Sequence, residues 1–387
     1  MIVTKTQLVR LCPNQIMTKQ LVALCDYRRY CWNQGLATWN DMYEANTINP
    51  IDNPKPNQYR VRNELVANKE DWQDKLSARC LQLAIKDLAQ AWQNFFDKAQ
   101  PDWGKPQFKS KKAARQGFKT DRAKIINGKL RLDRPRGVVK EDWFDIKLAE
   151  KPQMTKLLTV SILKESGHYT AALTYQFEPK VKAKTGQKTA VDVNVGHFNW
   201  TGGNLQVLPR KLVKLYERIK HYQRQLARKR TVNGLKTALK SCNYQAVKNK
   251  LQRDYRKVNN IQTDLLQKFT TKLVTDYDQI VIEDLDVKAM KMGIASKGLH
   301  RSMFGKFRQE LVYKCKWYGK ELVLASRLYP STQRCANCGY IKTGSEKITL
   351  AGNVKHHTKH NEYICYQCGY IADRDENAVR NLLALAK

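Results

Sequence analysis

The sequence predicts a multidomain α+β protein, on the basis of three observations. Its 387 residues are enough for two or three domains. Strand-like patterns fill residues 124–177, whereas amphipathic helical patterns lie on both sides of that segment. Two C-x-x-C pairs follow near the C-terminus and predict a small cysteine-based module. The chain thus combines a strand-rich segment, helical segments and a cysteine module, which predicts an α+β protein of more than one domain.

The charge balance is strongly positive. The chain has 70 Lys and Arg residues against 35 Asp and Glu, which gives a net charge of +35. This excess predicts a polyanionic partner, with nucleic acid as the first hypothesis and a membrane surface as the alternative. No apolar run approaches the roughly 18 residues of a spanning helix. We therefore expect neither a membrane anchor nor a signal peptide.

The N-terminal segment is expected to begin with a strand over 2–11 and to continue as a helix that opens at Pro13-Asn14. A polar loop is expected over 46–58. A second helix follows, because apolar residues recur at helical spacing, at Leu81, Ile85, Leu88, Trp92 and Phe95. The polar face of this helix carries Arg79, Gln82 and Lys86.

A basic segment with interleaved phenylalanines covers residues 105–124. It holds eight basic residues and one acid, so we expect a phosphate-binding loop, with a merely solvated loop as the alternative. Its candidate contacts are Lys105, Lys109, Lys111, Lys112 and Arg115. Strands are then predicted over 125–132, 144–148, 157–163 and 169–177, with a hairpin turn at Gly167-His168 and a domain boundary in the basic linker 179–188.

The second half of the chain alternates short apolar strands with helices. Strands are predicted over 189–195, near Phe198, over 278–285 and over 321–326, with a helix over 304–318 and a flexible loop over 293–300. Residues 210–257 carry 16 basic residues and two acids at helical spacing. We interpret this segment as a positively charged helical surface that faces an anionic partner, the alternative being an ordinary solvated helix.

Four cysteines form two C-x-x-C-Gly-Tyr repeats, whose spacing predicts one tetrahedral zinc site, with redox or disulfide pairs as the alternative. These ligands are Cys335, Cys338, Cys365 and Cys368. Three histidines in the intervening loop, His356, His357 and His360, are expected to be spectators. The other six cysteines show no pairing pattern, so we expect free thiols in a reducing cytoplasm.

Three carboxylates lie within apolar strands or at the ends of apolar elements. Asp192 lies inside a strand, Glu283 ends a later strand, and Asp375 starts the last helix. Buried acids need a compensating cation, and Mg²⁺ prefers oxygen ligands. Two such ions about 3.5–4 Å apart could serve phosphodiester cleavage. The alternative is that these acids are helix caps and strand-end charges.

These residues resemble the motifs of the TnpB (OrfB) family, transposon-encoded proteins related to compact type V CRISPR effectors. The resemblance rests on strand-borne Asp192, Ile-Glu283-Asp-Leu, the cysteine repeats followed by Asp373-Arg-Asp375-Glu-Asn377, and the segments 104–112 and 304–332. It implies a wedge-like β-barrel (1–12 and 102–180), an inserted helical recognition domain (13–101) and an RNase H-like (RuvC) nuclease domain (181–387) with a zinc ribbon inserted at 331–370.

The resemblance also implies RNA-guided cleavage of DNA beside a short recognition motif. Asp192, Glu283 and Asp375 would hold two catalytic Mg²⁺ ions, and Asp373 would be a helix cap or an outer group. Asn194 stands where the family often has glycine. The expected partners are a structured guide RNA and double-stranded target DNA, with the protein acting as a monomer. Expected nucleic-acid contacts beyond the 105–115 group are Arg79, Gln82, Lys86, Arg218, Arg224, Arg228 and Arg230.

Two alternatives share the predicted fold. A transposase would usually carry its acids in the order Asp, Asp, Glu, whereas the order here is Asp, Glu, Asp. A nuclease-inactive RNA-guided DNA-binding protein would arise by loss of the acids, but all three are present. Both observations favour the nuclease.

Overall fold

The structure is a computed structural model of the full chain. It describes residues 2–99, 103–113, 115–135, 139, 143, 145–153, 156–165, 167–230, 241–285, 303–349, 351–353 and 355–386. Contacts divide the chain into two compact units, Met1–Glu178 and Pro179–Lys387. The division falls at the first residue of the basic segment 179–188. Among the described residues, no helix is both long enough and apolar enough to cross a membrane.

The first unit contains one antiparallel sheet of seven strands. In chain order these are β1 (Val3–Cys12), β2 (Arg115–Thr120), β3 (Lys124–Ile126), β4 (Lys129–Arg131), β5 (Asp145–Leu148), β6 (Leu157–Glu165) and β7 (His168–Phe177). Hydrogen bonds order them β2-β6-β7-β1-β5-β4-β3. Four predicted strands of this unit are confirmed as β1, β5, β6 and β7, although residue 144 lies outside the described part of the chain.

The connection between the edge strands requires the sheet to curl. The edge strands β2 and β3 are consecutive along the chain and are joined only by Asp121–Ala123. The step from Thr120 to Lys124 can span at most about 14 Å. The edges of a flat sheet of seven strands would lie roughly 29 Å apart, at about 4.8 Å per strand spacing. The sheet therefore bends strongly enough to bring its two edges together.

Two predictions for this region were wrong. Residues 125–132 were expected to form one strand, but Asn127 and Gly128 both have positive φ (50° and 71°) and turn the chain into the β3–β4 hairpin. An Asn-Gly pair favours this turn because both residues tolerate the left-handed conformation. The expected loop over 105–124 also ends early, because Arg115–Thr120 pairs with β6 as strand β2.

The helices of the first unit are α1 (Gln15–Ile48), α2 (Gln58–Ala67), α3 (Asp71–Asp74) and α4 (Ala78–Phe96). The predicted start of α1 is confirmed, since the side chain of Asn14 accepts a hydrogen bond from the Met17 amide at 2.8 Å. Leu81, Ile85, Leu88 and Trp92 of α4 are buried as their spacing predicts and pack against α1 and the sheet in one core, whereas Phe95 is exposed. Sequence analysis missed α2, whose only buried residue is Val61.

The second unit is built on a five-stranded mixed sheet. Its strands are β8 (Lys188–Val193), β9 (His197–Trp200), β10 (Gly203–Gln206), β11 (Gln279–Glu283) and β12 (Glu321–Ala325), in the order β10-β9-β8-β11-β12. The first three are antiparallel, whereas β11 runs parallel to both β8 and β12. The central position of β8 explains its continuous buried run, because both of its faces are covered.

Within the described residues of this unit, four helices accompany the sheet: α5 (Arg210–Arg230), α6 (Cys242–Asp276), α7 (Phe304–Tyr318) and α8 (Arg374–Leu383). The core contains Phe198 from β9, Phe269 from α6 and Phe307 from α7, whose rings lie 4.8–6.2 Å apart between centroids. A short hairpin, β13 (Glu362–Ile364) and β14 (Ile371–Asp373), precedes α8. The predicted loop over 293–300 lies outside the described residues.

Replacing Gly117 by alanine should destabilise the first unit. A Cβ at this position of β2 would lie 2.3 Å from the backbone oxygen of Ile162, so the two strands would have to separate. We expect a loss of about 1–3 kcal/mol in the free energy of unfolding. Urea denaturation measures the loss, and hydrogen exchange in β2 locates it. The matched control is Gly104→Ala, because nothing lies within 4 Å of its added Cβ. Equal stability of the two variants would contradict the prediction.

Candidate functional site

Two of the predicted acids lie side by side at the ends of parallel strands. Asp192 is near the end of β8 and is only 4% exposed, while Glu283 is the last residue of β11. The register that pairs Ile282 with Val191 brings Glu283 level with Asp192. The amide of Asn194 donates to Asp192 Oδ2 at 2.7 Å, and the hydroxyl of Ser331 donates to Glu283 Oε1 at 2.5 Å.

The third acid comes from the first turn of α8. The side chain of Asp373 caps this helix by accepting hydrogen bonds from two backbone amides, which leaves Asp375 inside the first turn. Two side chains of β9, His197 and Asn199, each lie 2.9 Å from Asp375 Oδ2. Because Asn199 pairs with Asp192 in the β8–β9 ladder, Asp375 is held over the same end of the sheet.

The ionised form of this carboxylate cluster is electrostatically unfavourable without a bound cation. Burial, followed by the charges of Glu283 and Asp375, raises the pKa of Asp192 to about 7. Burial likewise raises the pKa of Glu283, against the hydrogen bond from Ser331. A divalent cation would remove this penalty, and carboxylate oxygens are ligands that Mg²⁺ prefers. The donor set therefore fits magnesium.

The oxygen atoms of the three carboxylates are nevertheless farther apart than the ligand atoms of a single ion would be. In the described part of the chain, the cysteine quartet is the one group of three or more potential ligands whose atoms all lie within 4.8 Å of one another. Carboxylates distributed around two ions about 3.5–4 Å apart need not meet that distance.

Two buried amides attach α8 to the segment that begins the ribbon. Asn377 donates to the carbonyl of Arg334 at 2.7 Å and accepts from the amide of Ala336 at 3.0 Å. Asn381 donates to the carbonyls of Ser331 and Arg334, at 2.8 and 2.6 Å. The helix that carries Asp375 is thus locked to the residue that holds Glu283.

The four predicted zinc ligands come together as one cluster. The Sγ atoms of Cys335 and Cys368 are 3.7 Å apart, and those of Cys338 and Cys365 are 3.6 Å apart. Four sulfurs at about 2.3 Å from a central zinc ion would be separated by roughly 3.8 Å along each tetrahedral edge. The two turns are built alike, since the first cysteine of each accepts from the following glycine amide at 3.0 Å. The spacing of the sulfurs fits one structural zinc ion.

A buried lysine that sequence analysis missed lies beside this cluster. Lys342 is 1% exposed, and its Nζ has no hydrogen-bond partner among the described residues. The ammonium lies 3.7 Å from the ring centroid of Tyr366 and 4.8 Å from that of Tyr363. Burial lowers its pKa, whereas the charges of Cys365, Glu346 and Cys335 oppose the shift. A zinc ion with four thiolates carries two negative charges, which this ammonium can partly balance.

Among the described residues, no histidine of the ribbon belongs to the cysteine quartet, and their expected role as spectators stays a prediction. His356 instead stacks on Tyr366 with 3.8 Å between ring centroids. The sequence also did not single out His197, Asn199 or Ser331 as partners of the acids. The Asp-x-Asn spacing of Asp192 and Asn194 was the one local signal available.

Three predicted nucleic-acid contacts on helices already have partners within the protein: Arg79, Gln82 and Arg218. Arg79 forms an ion pair with Asp121 and also contacts Gln82. Arg218 forms a bidentate pair with buried Asp254, and this pair joins α5 to α6. Both arginines retain partial exposure, so their expected roles stay predictions. Exposed side chains without such partners in the described part are Lys86, Lys112, Arg115, Arg224 and Arg228; the side chain of Arg230 lies outside it.

Other candidates in the 105–113 segment contact aromatic rings or acids. Lys105 lies 5.6 Å from the ring centroid of Trp92, and Lys109 lies 3.4 Å from that of Trp32. Lys111 pairs with Asp26 at 3.3 Å. The segment therefore packs along α1 and α4 instead of extending freely into solvent.

Comparison with known proteins adds independent findings. Two family models match the chain, one described as "Probable transposase" over residues 172–292 and one as "Cas12f1-like, TNB domain" over residues 304–382. A Streptomyces pristinaespiralis protein named "Putative RNA-guided DNA endonuclease" is 28% identical over 310 residues, which cover 79% of this chain and 70% of the relative. An Escherichia coli (strain K12) protein named "Putative RNA-guided DNA endonuclease InsQ" is 26% identical, covering 92% of this chain and 86% of the relative.

Among solved structures, a Cas12f1–sgRNA–target DNA complex matches with a TM-score of 0.51 and 12% identity, covering 98% of both chains. At this identity the match concerns the fold alone, and it agrees with mixed α/β content across the chain.

Replacing Lys342 by methionine should weaken zinc retention. The change keeps the buried volume but removes the positive charge beside the thiolates, and we expect a loss of up to about 10-fold in metal affinity, the lower end of what loss of a hydrogen-bonded outer partner costs. The rate of zinc release to a chromogenic chelator measures the effect. Lys347→Met is the matched control because Lys347 is exposed in the same ribbon. Cys365→Ser removes one of the four ligands and gives the rate of zinc release expected when the site is disrupted. Equal release from the two lysine variants would refute the role of Lys342.

Proposed function

Because the chain belongs to the TnpB (OrfB) family, we propose that it is an RNA-guided DNA endonuclease that cleaves double-stranded target DNA beside a short recognition motif. The single observation that carries the proposal is the convergence of Asp192, Glu283 and Asp375 at one end of the second sheet. The names of the curated relatives support the same activity.

We further propose that the second unit is an RNase H-like (RuvC) nuclease domain. Its sheet has the chain order 3-2-1-4-5, with the first three strands antiparallel and the last two parallel to the central one. In the first unit, the curled sheet would be the wedge-like barrel, and residues 13–101 would form the recognition domain. The ribbon would bind one structural Zn²⁺.

Each carboxylate of the proposed active site is oriented by its own partner. Asn194 fixes Asp192, Ser331 fixes Glu283, and His197 with Asn199 fixes Asp375. These hydrogen bonds hold three like charges in place, which repulsion alone would separate. Two bound Mg²⁺ ions would supply an activated water and stabilise the leaving 3′-oxygen of a phosphodiester. The order of the acids favours this nuclease over a transposase, and their joint presence favours it over an inactive binding protein.

The basic surface of α5 supports a guide RNA as the partner. Leu212, Leu215 and Ile219 bury one face of α5 against Val258 of α6, while Arg224 and Arg228 remain exposed. Such cations would bind phosphates of an RNA or of its heteroduplex with DNA, leaving sequence recognition to base pairing. Arg79 and Gln82 remain candidates for reading the motif beside the target, and Lys86 for a contact that strengthens binding irrespective of sequence.

Asp375→Ala should abolish DNA cleavage but leave guide and target binding nearly unchanged, because a ligand of the proposed metal site is lost while the basic surfaces are intact. Single-turnover cleavage and filter binding measure the two effects. Asp373→Ser is the matched control, since serine preserves the helix cap two residues away. We expect this control to cleave normally. Near-normal cleavage by Asp375→Ala would remove Asp375 from the site.

The guide itself is tested by reprogramming. The protein should be purified with its bound RNA, and the guide segment then replaced by one that matches a chosen plasmid sequence. We expect Mg²⁺-dependent cutting at the new site, because base pairing carries the sequence information. Cutting that ignores the guide sequence, or that proceeds equally without RNA, would replace this proposal with a guide-free nuclease.

A further inference from the structure

A cavity of about 510 Å³ opens in the first unit between α1, α4, β2, β6 and the segment that precedes β2. This volume lies within the range of about 300–1,000 Å³ typical of small-molecule sites. The residues that matter for its chemistry are Arg28, Asp87, Phe108, Lys109, Arg115 and Lys119. All of them belong to the first unit, so the cavity is distinct from the carboxylate cluster and from the ribbon.

The lining of the cavity is positively charged beyond what its own acid can balance. Five cationic side chains, the four above and Arg29, face one carboxylate, Asp87, an excess of four. Asp87 is shared by Arg28 at 2.7 Å and Lys119 at 3.1 Å. Arg29 pairs with Asp26 at 2.5 Å. Within the described ranges, Lys109 and Arg115 have no ion-pair partner.

One nitrogen of the buried Arg28 guanidinium, Nη1, lacks a hydrogen-bond acceptor in the described part of the chain, whereas Nη2 donates to Asp87. Arg28 is 7% exposed, and its Nη1 has no partner among the described residues. A buried, unpaired donor is costly, and its presence in a folded protein points to an acceptor that binds there. Desolvation, followed by the charge of Arg28, lowers the pKa of Lys109 to about 8. The residue as a whole is exposed, but its ammonium lies over the ring of Trp32. An anion in the cavity would favour the charged form of both groups.

An exposed aromatic ring in the cavity lining favours a nucleotide over a simple anion as the ligand. Phe108 lines the cavity and is 61% exposed, so its face is available for stacking. Bases stack on such rings irrespective of their sequence. Bases of a duplex are already paired, whereas a structured RNA offers unpaired nucleotides that proteins bind individually.

We propose that this cavity holds one unpaired nucleotide of the bound RNA, with its phosphate on Arg28, Lys109 and Arg115 and its base against Phe108. The proposal rests on the proposed function, which supplies the RNA, and adds a specific anchoring point to it. Arginine suits the phosphate because its planar fork can donate two hydrogen bonds to phosphate oxygens.

The test uses the full chain with the RNA that copurifies with it. Ultraviolet cross-linking followed by nuclease digestion and mass spectrometry should give a one-nucleotide adduct on Phe108 or its immediate neighbours. Phe108→Leu should abolish this adduct and lower RNA affinity at least about fivefold, through loss of stacking. Arg115→Gln should lower RNA affinity about tenfold, through loss of a charge-assisted contact.

Two control variants separate the cavity from general effects. Arg122→Gln removes the same charge from an exposed residue of the first unit that does not line the cavity, and should weaken binding no more than about twofold. Phe96→Leu removes an exposed ring of α4 and should leave the adduct unchanged. The inference would be overturned if Phe108→Leu bound RNA as tightly as Phe96→Leu, Arg115→Gln bound it as tightly as Arg122→Gln, and no adduct formed near Phe108.

Further outcomes identify other occupants. AMP that binds the RNA-bound and RNA-free protein equally well in calorimetry would assign the cavity to a free nucleotide and overturn the proposal. A polyglutamate peptide that prevents formation of the adduct when AMP does not would assign the cavity to an acidic protein segment and overturn the proposal. Guided cleavage by the wild type despite a negative cross-linking result would leave the proposed function standing, whereas wild-type protein that binds no RNA would refute both.

Discussion

The second unit depends on two buried amides of α8. Asn377 and Asn381 lie one turn apart and make four hydrogen bonds with the backbone of residues 331–336. Buried polar groups must be paired, so α8 cannot shift along this segment without leaving several of them unsatisfied. The same segment carries Ser331, which holds Glu283, and Cys335, which belongs to the cysteine quartet. One set of hydrogen bonds therefore positions both the acids and the ribbon.

This arrangement links metal binding in the ribbon to the geometry of the acids. Binding of zinc to four thiolates contributes to folding, because the quartet has no defined geometry in an unfolded chain. Cys335 comes directly after Arg334, whose carbonyl accepts from both amides of α8. Order in the ribbon is thus transmitted over a few residues to Ser331 and to the first turn of α8. A zinc ion bound by the quartet would therefore also stabilise the backbone that positions Glu283 and Asp375.

The sequence predicted those parts of the fold whose signals are local. The apolar runs of β8 and β11, and the spacing in α4 and α7, follow from burial along each element. The acids stood out because a carboxylate within an apolar run is costly. Their partners did not, since His197 and Asn199 lie some 180 residues before Asp375 (178 and 176) and meet it only through strand register. For the same reason, no local pattern indicated that Asp121 engages Arg79, 42 residues away.

The positive charge of the chain is used in two physically different ways. On α5, Arg224 and Arg228 are exposed, so their attraction for phosphates is screened by salt and insensitive to exact position. In the cavity of the first unit, Arg28 is almost fully buried and Lys109 is desolvated, so their interaction with an anion is stronger but depends on close contact. Exposed cations can attract any nucleic acid from a distance. Desolvated cations favour only a ligand whose shape lets it enter, so the two arrangements differ in how selectively they can bind an anion.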